Sequence, residues 1–296
     1  MKAVDGVSLE INGQETVGLV GETGCGKTTL GRCLLRLLKP AKGKVFFKGD
    51  DIGKFSHTKM RNTRQQIQMI FEHPALSLDP TMHVWEIIAE PLRVHHLANR
   101  KELRERVDEM LRLVELASYH AERFPNELSG GERQRVEIAR ALVTAPGFLV
   151  CDNALAQLDV SIQAQLLSLF IRLREEQQLA YLFIAHDLAL VRQISDRIAV
   201  MYAGRIMETA DCEEFFKHPL HPYSQALLSA VMTPDPKAER ERKILLLPGE
   251  LPNPISLPGG CRFHTRCQQA QRSSCLEESP KLREITSGHF VACHLC

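Results

Sequence analysis

The sequence has no long apolar stretch, and its charges nearly cancel. No hydrophobic run approaches the roughly 18 residues that a membrane-spanning helix needs. The amino terminus, MKAVDGVSLE, lacks the charged-then-apolar order of a secretory signal. A formal net charge of +1 gives no electrostatic reason to expect nucleic acid as a partner. We therefore expect a chain that folds in the cytoplasm and meets a membrane only through partner proteins.

What is present is an alternation of short β-rich runs with helical patterns, which predicts a mostly parallel sheet covered by helices. The predicted strands are ETVGLVG, KVFFKG, IQMIF, GFLVCD and YLFIAH, followed by a final hairpin in DRIAVMYAGRIME. Helices are predicted at about 28–38, 83–120, 130–144 and 161–178. After about residue 232 the composition becomes rich in proline and cysteine. The predicted domains are 1–232, with a helical subdomain at about 73–128, and an extension at 233–296.

The residues between the first strand and the first helix match G-x-x-x-x-G-K-[ST], a pattern that cradles phosphate chains. Glycines let the backbone wrap a phosphate with its N–H groups pointing inward, and the helix start adds its positive dipole end. We predict that Lys27 reaches the β and γ phosphates of ATP and that the Thr28 hydroxyl ligates Mg²⁺. A simple glycine-rich turn is the alternative. The predicted nucleotide-binding residues here are Gly21, Glu22, Thr23, Gly24, Cys25, Gly26, Lys27, Thr28 and Thr29.

A second motif, LSGGERQR, occupies residues 128 to 135. It resembles the signature of the ABC ATPases, which phosphate-loop proteins in general do not carry. The resemblance implies a helix N-terminus that holds the γ-phosphate of an ATP bound by the opposite subunit. An ordinary serine N-cap followed by a glycine turn is the alternative. The residues predicted for this contact are Ser129, Gly130, Gly131 and Glu132.

The remaining motifs resemble the same family, in its order. Residues 148–152 resemble the Walker B strand, which delivers Asp152 to Mg²⁺, and Leu158-Asp159 resembles the end of the D-loop. His186 resembles the switch histidine that contacts the γ-phosphate. The resemblance covers essentially the whole chain. It implies an α/β ABC cassette of the P-loop NTPase class: a mostly parallel core, an antiparallel β part, a helical subdomain and a Cys-rich carboxy-terminal extension.

Two positions depart from the family pattern. Asn153 stands where the family has a glutamate that acts as the general base. Asparagine cannot accept a proton from water, and a positioned base contributes about 10²–10⁴ in rate. Glu72 replaces the Q-loop glutamine; it can still ligate Mg²⁺ but adds negative charge near the γ-phosphate. Alternatively, Glu72 replaces the missing base, or hydrolysis needs only a positioned water.

These departures predict an asymmetric pair of ATPase subunits. This chain would bind ATP firmly and hydrolyse it weakly, while its intact signature completes the site of a second, different ABC ATPase. The family implies two transmembrane permease subunits, docked on the exposed face of the helical subdomain, and an external peptide-binding protein. The expected location is peripheral, on the cytoplasmic side of the inner membrane. The family also stacks adenine on an aromatic residue before the first strand; none is present here, so apolar contacts or residues before Met1 would replace it.

The carboxy-terminal sequences resemble the tail of ATP-binding subunits from oligopeptide and dipeptide importers, a group that includes some nickel and antimicrobial-peptide systems. The matching segments are HPLHPYSQALLSAV, LPGELPNP and GCRFHTRC. This resemblance alone predicts a substrate class. Two rival functions are a soluble ABC protein of DNA repair or translation and a regulatory nucleotide sensor. The first predicts a second cassette or a strongly basic surface, and the second is supported only by Asn153.

Five of the nine cysteines crowd into the last 36 residues, which in a reducing compartment favours a metal site over disulfides. Four thiolates suit Zn²⁺ or an iron–sulfur cluster. The absence of a CxxC pair weakens a zinc-ribbon interpretation, and the resembling family favours a 4Fe-4S cluster. Reduced, packed thiols are the remaining alternative. The predicted ligands are Cys261, Cys267, Cys275 and Cys293. Three histidines are alternative ligands, but surface positions are predicted for them: His264, His289 and His294.

Overall fold

The computed structural model describes residues 2–231, 244–270 and 273–296. The predicted domain boundary at 232/233 lies outside these ranges and stays a prediction. The strands are β1 (Thr16–Val20), β2 (Phe46–Phe47), β3 (Asp50–Asp51), β4 (Ile67–Ile70), β5 (Phe148–Asp152), β6 (Ala180–Ile184), β7 (Arg197–Tyr202), β8 (Arg205–Asp211), β9 (Arg283–Thr286) and β10 (His289–Val291).

The helices within the described ranges vary from one turn to five. Short 3₁₀ turns lie at Ile52–Lys54, Ser118–Glu122, Pro125–Glu127 and His264–Arg266. The α-helices are α1 (Lys27–Leu34), α2 (His57–Thr63), α3 (Pro74–Ser77), α4 (Val84–Val94), α5 (Arg100–Leu113), α6 (Gly130–Leu142), α7 (Val160–Gln177), α8 (Leu188–Ile194), α9 (Cys212–Lys217), α10 (Pro222–Ser229) and α11 (Ser273–Glu277). No helix in the described part of the chain is long and apolar enough to span a bilayer.

The chain divides into two compact units, each described here by itself. Unit 1 consists of Met1–Glu10, Thr16–Leu30 and Ile184–Cys296. Its strands follow the order β1-β7-β8-β10-β9, in which β1 and β7 are parallel and the other pairs are antiparallel. All five residues of β1 are buried, as expected for a strand covered on both faces.

The carboxy-terminal extension contributes to the core of unit 1. β10 pairs with β8, so the hairpin β7–β8 is followed by two further strands, where the sequence predicts a final hairpin. Tyr202, Tyr223 and Phe263 form a buried aromatic cluster, with ring centroids 4.7–5.4 Å apart. Such edge-to-face packing adds to the area that the rings bury.

Unit 2 consists of Ile11–Glu15 and Gly31–Phe183. β4 and β5 are parallel neighbours, and β2 and β3 form a separate antiparallel ribbon. Each unit thus contains parallel and antiparallel strand pairs, which confirms the predicted mixture of a parallel core and an antiparallel β part.

Helices fill the predicted subdomain range, with α3, α4, α5 and two 3₁₀ turns. α5 begins at a capping box. The Asn99 side chain accepts the Glu102 backbone N–H, and the Glu102 carboxylate accepts the Asn99 backbone N–H. Its buried face is Leu103, Val107 and Leu111, spaced four residues apart. The division of 73–128 as a subdomain stays a prediction.

Two elements are shorter than the sequence predicts. The helix expected at 28–38 ends at Leu34, and Arg36 has a left-handed φ of 52° that stops it from continuing. The strand expected in KVFFKG is reduced to Phe46–Phe47 in the two-stranded ribbon, where Phe46 is exposed.

Candidate functional site: a phosphate-binding loop and a signature helix

The predicted phosphate loop connects β1 to α1 in unit 1, as its motif requires. Gly21, Gly24 and Gly26 have φ values of 146°, 83° and 112°, a range that L side chains rarely adopt. A Cβ atom at Gly21 would overlap the carbonyl oxygen of Met201, and one at Gly26 would overlap the carbonyl oxygen of Ala3. Conformation and space therefore both require glycine in this loop.

Lys27 is the buried cation of the loop, with 4% of its surface exposed. Its ammonium donates to the carbonyl oxygens of Gly21, at 2.7 Å, and Glu22, at 2.9 Å. A charge-assisted bond of this kind holds the loop closed around a positive centre. Burial raises the pKa of the neighbouring Cys25 thiol, which favours its neutral form.

Residues of the carboxy-terminal half also reach this loop, which the sequence does not reveal. The Glu22 N–H donates to Tyr223 Oη at 2.9 Å, and its carboxylate accepts from Arg266 Nη1 at 2.7 Å. A Cβ at Gly24 would lie 3.8 Å from Leu251. Because these partners lie about 200 residues or more from the loop, no local motif signals them.

His186, the predicted switch histidine, lies two residues beyond the end of β6 and is exposed. The next residue, Asp187, caps α8 by accepting the Ala189 N–H at 2.8 Å. The predicted strand-then-histidine order is therefore present, and the cap fixes the turn that follows His186.

The signature motif forms the N-terminal tip of α6 in unit 2. Ser129 is the N-cap: its Oγ accepts the Glu132 N–H at 3.3 Å, and Glu132 Oε2 accepts the Ser129 N–H at 2.7 Å. That backbone bond lowers the pKa of the Glu132 carboxyl. His120 Nε2 lies 3.1 Å from the other oxygen, Oε1. The tip is therefore a capped serine followed by two glycines at a helix N-terminus, an arrangement that favours anion binding.

The two signature glycines lie close to the segment that contains the predicted D-loop. A Cβ at Gly130 would lie 3.3 Å from a Leu158 methyl, and one at Gly131 would lie 2.8 Å from Ile162. Any larger residue at position 131 must displace the Ile162 side chain on α7. Glycine is thus needed for packing in unit 2 as well as for access to the N–H groups.

Asp152 ends β5 and is buried, and Asn153 follows with a φ of 49°. Asparagine tolerates this left-handed conformation better than other non-glycine residues. Asn153, at the predicted general-base position, is therefore compatible with the left-handed backbone conformation found there.

Glu72, at the predicted Q-loop position, is half-buried and follows β4. The residue before it, Phe71, donates its N–H to Glu137 Oε1 on α6 at 3.0 Å, and the Ser77 hydroxyl donates to the same oxygen at 2.9 Å. Glu137 thus ties the signature helix to the segment around Glu72. The sequence gives no signal for this buried carboxylate.

The four predicted cluster cysteines line one small cavity of about 10 Å³, together with Phe263. All are free thiols, and burial raises the pKa of Cys261 to about 11. Among the residues that the structure describes, no three His, Cys, Asp or Glu side chains are arranged to hold a metal ion. The four thiols line one cavity, but among the described residues they do not form a ready metal-binding group.

One of the three histidines expected at the surface is buried. His289 is 1% exposed and its Nε2 lies 2.7 Å from Glu208 Oε1, on β8. The expectation of a surface position is wrong because β10, on which His289 lies, pairs with β8 and is covered. Glu208 also accepts the N–H groups of Leu220 and His221, which anchors the start of α10.

Comparison with known proteins decides the family. The family model described as ABC transporter matches residues 4–156. The chain belongs to the ABC transporter family. A second model, the carboxy-terminal region of oligopeptide/dipeptide transporters, matches residues 207–275 of this ABC protein.

Curated relatives match the ABC chain over its whole length. A putative oligopeptide transport ATP-binding protein of Bacillus subtilis, YkfD, is 49% identical over 100% of this chain and 90% of the relative. The oligopeptide transport ATP-binding protein AppF of the same organism is 48% identical with the same coverage. OppF of Salmonella typhimurium is 48% identical over 99% of this chain and 87% of its own length.

Solved ABC proteins share the fold. The protein cbiO1 of Clostridium perfringens superposes with a TM-score of 0.67 at 26% identity, covering 73% of this chain and 84% of that one. The bacterial ABC transporter cassette MJ0796, in a dimeric structure, gives 0.64 at 27% identity, covering 71% and 90%. These similarities confirm the ABC cassette fold predicted from the motifs.

Proposed function

We propose that this chain is the ATP-binding subunit of an ABC importer for oligopeptides or dipeptides. The observation that carries the proposal is a phosphate loop with a buried lysine and a capped signature tip in one chain. In the family, these two motifs serve different ATP molecules, one in each half of a pair. A chain that holds one motif of each kind is suited to work as half of a motor.

The peptide substrate is supported by the extension and by the relatives. Residues 207–275 match the oligopeptide/dipeptide transporter region, and the curated relatives are described as oligopeptide transport proteins. A relative from Brucella ovis, 46% identical, is described as a putative peptide import protein, which supports the inward direction. A nickel or antimicrobial-peptide system is the alternative. Transport of labelled peptides into cells that lack this chain tests the proposal; unchanged uptake would exclude it.

The bound species is proposed to be Mg-ATP. Glycine backbone N–H groups and Lys27 would hold the β and γ phosphates, and the metal would screen their charge. The proposed Mg²⁺ ligands, assigned from their motifs, are Thr28, Asp152 and Glu72. His186 is proposed to contact the γ-phosphate.

We propose further that this subunit pairs with a different ABC ATPase and hydrolyses its own ATP weakly. A neutral asparagine at position 153 supports the weak hydrolysis, because it cannot remove a proton from water. The dimeric structure of the similar cassette MJ0796 supports pairing. The intact tip at Ser129 would complete the ATP site of the partner, so the pair would keep one competent site.

Two variants of the purified pair test this asymmetry. Removing only the general base of the partner should lower total ATP turnover by roughly 10²-fold or more. Near-normal turnover would show that this chain hydrolyses ATP at its own site. Conversely, Asn153→Glu should increase ATP turnover at this chain's own site. Asn153→Asp is the control, because it adds the same negative charge on a shorter side chain. A chain that binds ATP yet alters no partner's turnover would instead be a nucleotide sensor.

Permease subunits are the proposed membrane partners, and unit 2 offers a groove for them. A cavity of about 260 Å³ is lined by residues of α4, β4 and α6 and by Leu37. Leu37 and Val94 are exposed apolar side chains at its wall, and Glu90 and Arg64 supply charges of both signs. A short amphipathic cytoplasmic helix matches this mixture of apolar floor and charged rim.

Co-purification of the permeases tests the groove. Val94→Glu should abolish retention of the two permeases while leaving ATP affinity unchanged. Ile255→Glu, at another exposed apolar position, is the matched control and should retain them. Retention by both variants would place the docking surface elsewhere. The peripheral location at the inner face of the membrane follows from this docking.

The gathered thiols of the extension are proposed as the place of a 4Fe-4S cluster or Zn²⁺, supported by the four sulfurs around one cavity. The thiols must lose their protons to bind either. Anaerobic purification, an ultraviolet–visible spectrum and iron and zinc assays decide between the two. A colourless protein without bound metal would show that the cysteines are reduced, packed thiols.

A further inference from the structure

The phosphate loop contains an acidic side chain whose charge is balanced by the carboxy-terminal extension. Glu22 is the second residue of the loop, next to Gly21, whose carbonyl binds the Lys27 ammonium. Its carboxylate lies in an ion pair with Arg266, and its side chain is 28% exposed. A carboxylate in a loop that binds a triphosphate repels the ligand unless a cation neutralises it.

Arg266 is held in a fixed orientation by several contacts. Its side chain is 9% exposed, Nε donates to the Pro248 carbonyl at 3.0 Å, and Nη1 contacts Glu22 Oε2 at 2.7 Å. The guanidinium also lies 5.9 Å from the ring centroid of Tyr202. A planar group that uses two edges for two different acceptors is oriented more strictly than an ammonium would be.

The backbone of Glu22 is fixed from the same side. Its N–H donates to the hydroxyl of Tyr223, which belongs to the buried aromatic cluster with Phe263. Phe263 accepts the Arg266 N–H, so both contacts to Glu22 come from one packed region of unit 1. The carboxylate is thereby tied to the extension instead of being free to swing toward the phosphates.

We propose that Arg266 is a positioning residue for nucleotide binding: it neutralises Glu22 and holds this carboxylate away from the triphosphate. Loss of Arg266 leaves an uncompensated negative charge in the loop and weakens Mg-ATP binding. The penalty depends on the charge of Glu22, so removing that charge restores binding. This inference rests on the proposed function, in which residues 21–28 hold the triphosphate.

The experiment is a double-mutant cycle on the full-length chain, with Mg-ATP binding measured by calorimetry. Arg266→Met should raise Kd roughly tenfold, since the uncompensated charge of Glu22 would then repel the triphosphate. Glu22→Gln alone should change Kd by less than about threefold. The double variant should return to within about threefold of the wild-type value. Arg283→Met, which removes an exposed arginine of the same extension, is the matched control and should leave Kd unchanged.

Two results would overturn the proposal. A double variant as weak as Arg266→Met would show that the arginine acts through packing and not through the charge of Glu22. An unchanged Kd in Arg266→Met would show that the ion pair has no role in binding. If Arg266→Met fails to fold, Glu22→Gln still decides: a gain of tenfold or more in affinity would show that Arg266 does not neutralise the carboxylate.

The proposed function has its own control in the same series. Lys27→Ala should abolish measurable Mg-ATP binding if residues 21–28 form the nucleotide loop. Unchanged binding in that variant would contradict the proposed function itself. Lost binding in Lys27→Ala together with unchanged binding in Arg266→Met would contradict only the role of Arg266.

Discussion

The phosphate loop and the signature tip are both helix N-termini lined by glycine, but they are held in place by different means. The signature tip is closed locally: Ser129 and Glu132 exchange two hydrogen bonds within one turn of α6. The phosphate loop depends on distant parts of the chain. Met201, Tyr223 and Arg266 all contact it or limit its space.

The difference teaches which site tolerates change in the rest of the molecule. A locally capped tip keeps its shape as long as its helix is formed, so it is suited to complete the site of another subunit. A loop held by the carboxy-terminal extension responds to changes in that extension. Substitutions at the two motifs should therefore differ in how much they lower the free energy of unfolding and in which ATP site they affect.

The largest effect is expected from Gly21→Ala. Its Cβ would overlap the Met201 carbonyl oxygen, and its φ of 146° is unfavourable for alanine. Overpacking and backbone strain together should lower the free energy of unfolding by about 3 kcal/mol. Gly43→Ala is the control, because Gly43 also has a positive φ of 96° but no atom within 4 Å of its Cβ. Urea denaturation of both variants checks this; equal losses would show that φ strain alone matters.

A smaller effect is expected from Tyr223→Phe, which removes the hydroxyl that accepts the Glu22 N–H. An unsatisfied donor costs about 1–2 kcal/mol, and we expect weaker Mg-ATP binding as well because the loop loses a fixed point. Tyr181→Phe is the matched control, since the Tyr181 hydroxyl donates to the Phe170 carbonyl in unit 2. Thermal denaturation and ATP titration should show a stability loss in both variants and an affinity loss only in Tyr223→Phe. Equal affinities would contradict the dependence of the loop on its contact with Tyr223.

The same contrast explains how much the sequence predicts. The phosphate loop, the signature tip and their flanking strands and helices follow from local rules: glycine conformation, N-capping and the alternation of apolar runs. Those rules also place Asp152 at a strand end. The contacts from Tyr223 and Arg266, the buried pair His289 and Glu208, and the buried Glu137 depend on which distant segments meet. A single sequence does not show which distant segments come into contact, so it reveals neither the burial of His289 nor the contacts of Glu137.

The local cap should give a moderate and confined effect. Ser129→Ala removes the side-chain oxygen that accepts the Glu132 N–H and should lower the free energy of unfolding by about 1 kcal/mol. ATP affinity of this chain should stay unchanged, while ATP turnover at the partner's site should fall. Ser56→Ala, which removes the equivalent cap of α2, is the control for stability without a change in turnover. A drop in this chain's own ATP affinity after Ser129→Ala would contradict the separation of the two motifs.

The smallest effect, and the only stabilising one, is expected from Glu137→Gln on the signature helix. Burial raises the pKa of the Glu137 carboxyl, although the two hydrogen bonds that Oε1 accepts from Phe71 and Ser77 act in the opposite direction. The other oxygen, Oε2, has no hydrogen-bond partner within the described ranges. A carboxyl whose pKa is raised on folding loses stability as the pH rises from the ordinary glutamate value through the raised one. Glutamine keeps the acceptor for Phe71 and Ser77 but does not titrate. The free energy of unfolding of the variant should therefore rise by less than about 1 kcal/mol near pH 7 and stay unchanged near pH 4.

Glu105→Gln, which replaces an exposed glutamate on α5, is the control. Denaturation curves across this pH range check the sign, and a variant that is less stable at pH 7 would show that the ionised carboxylate itself holds α6 to the segment around Phe71.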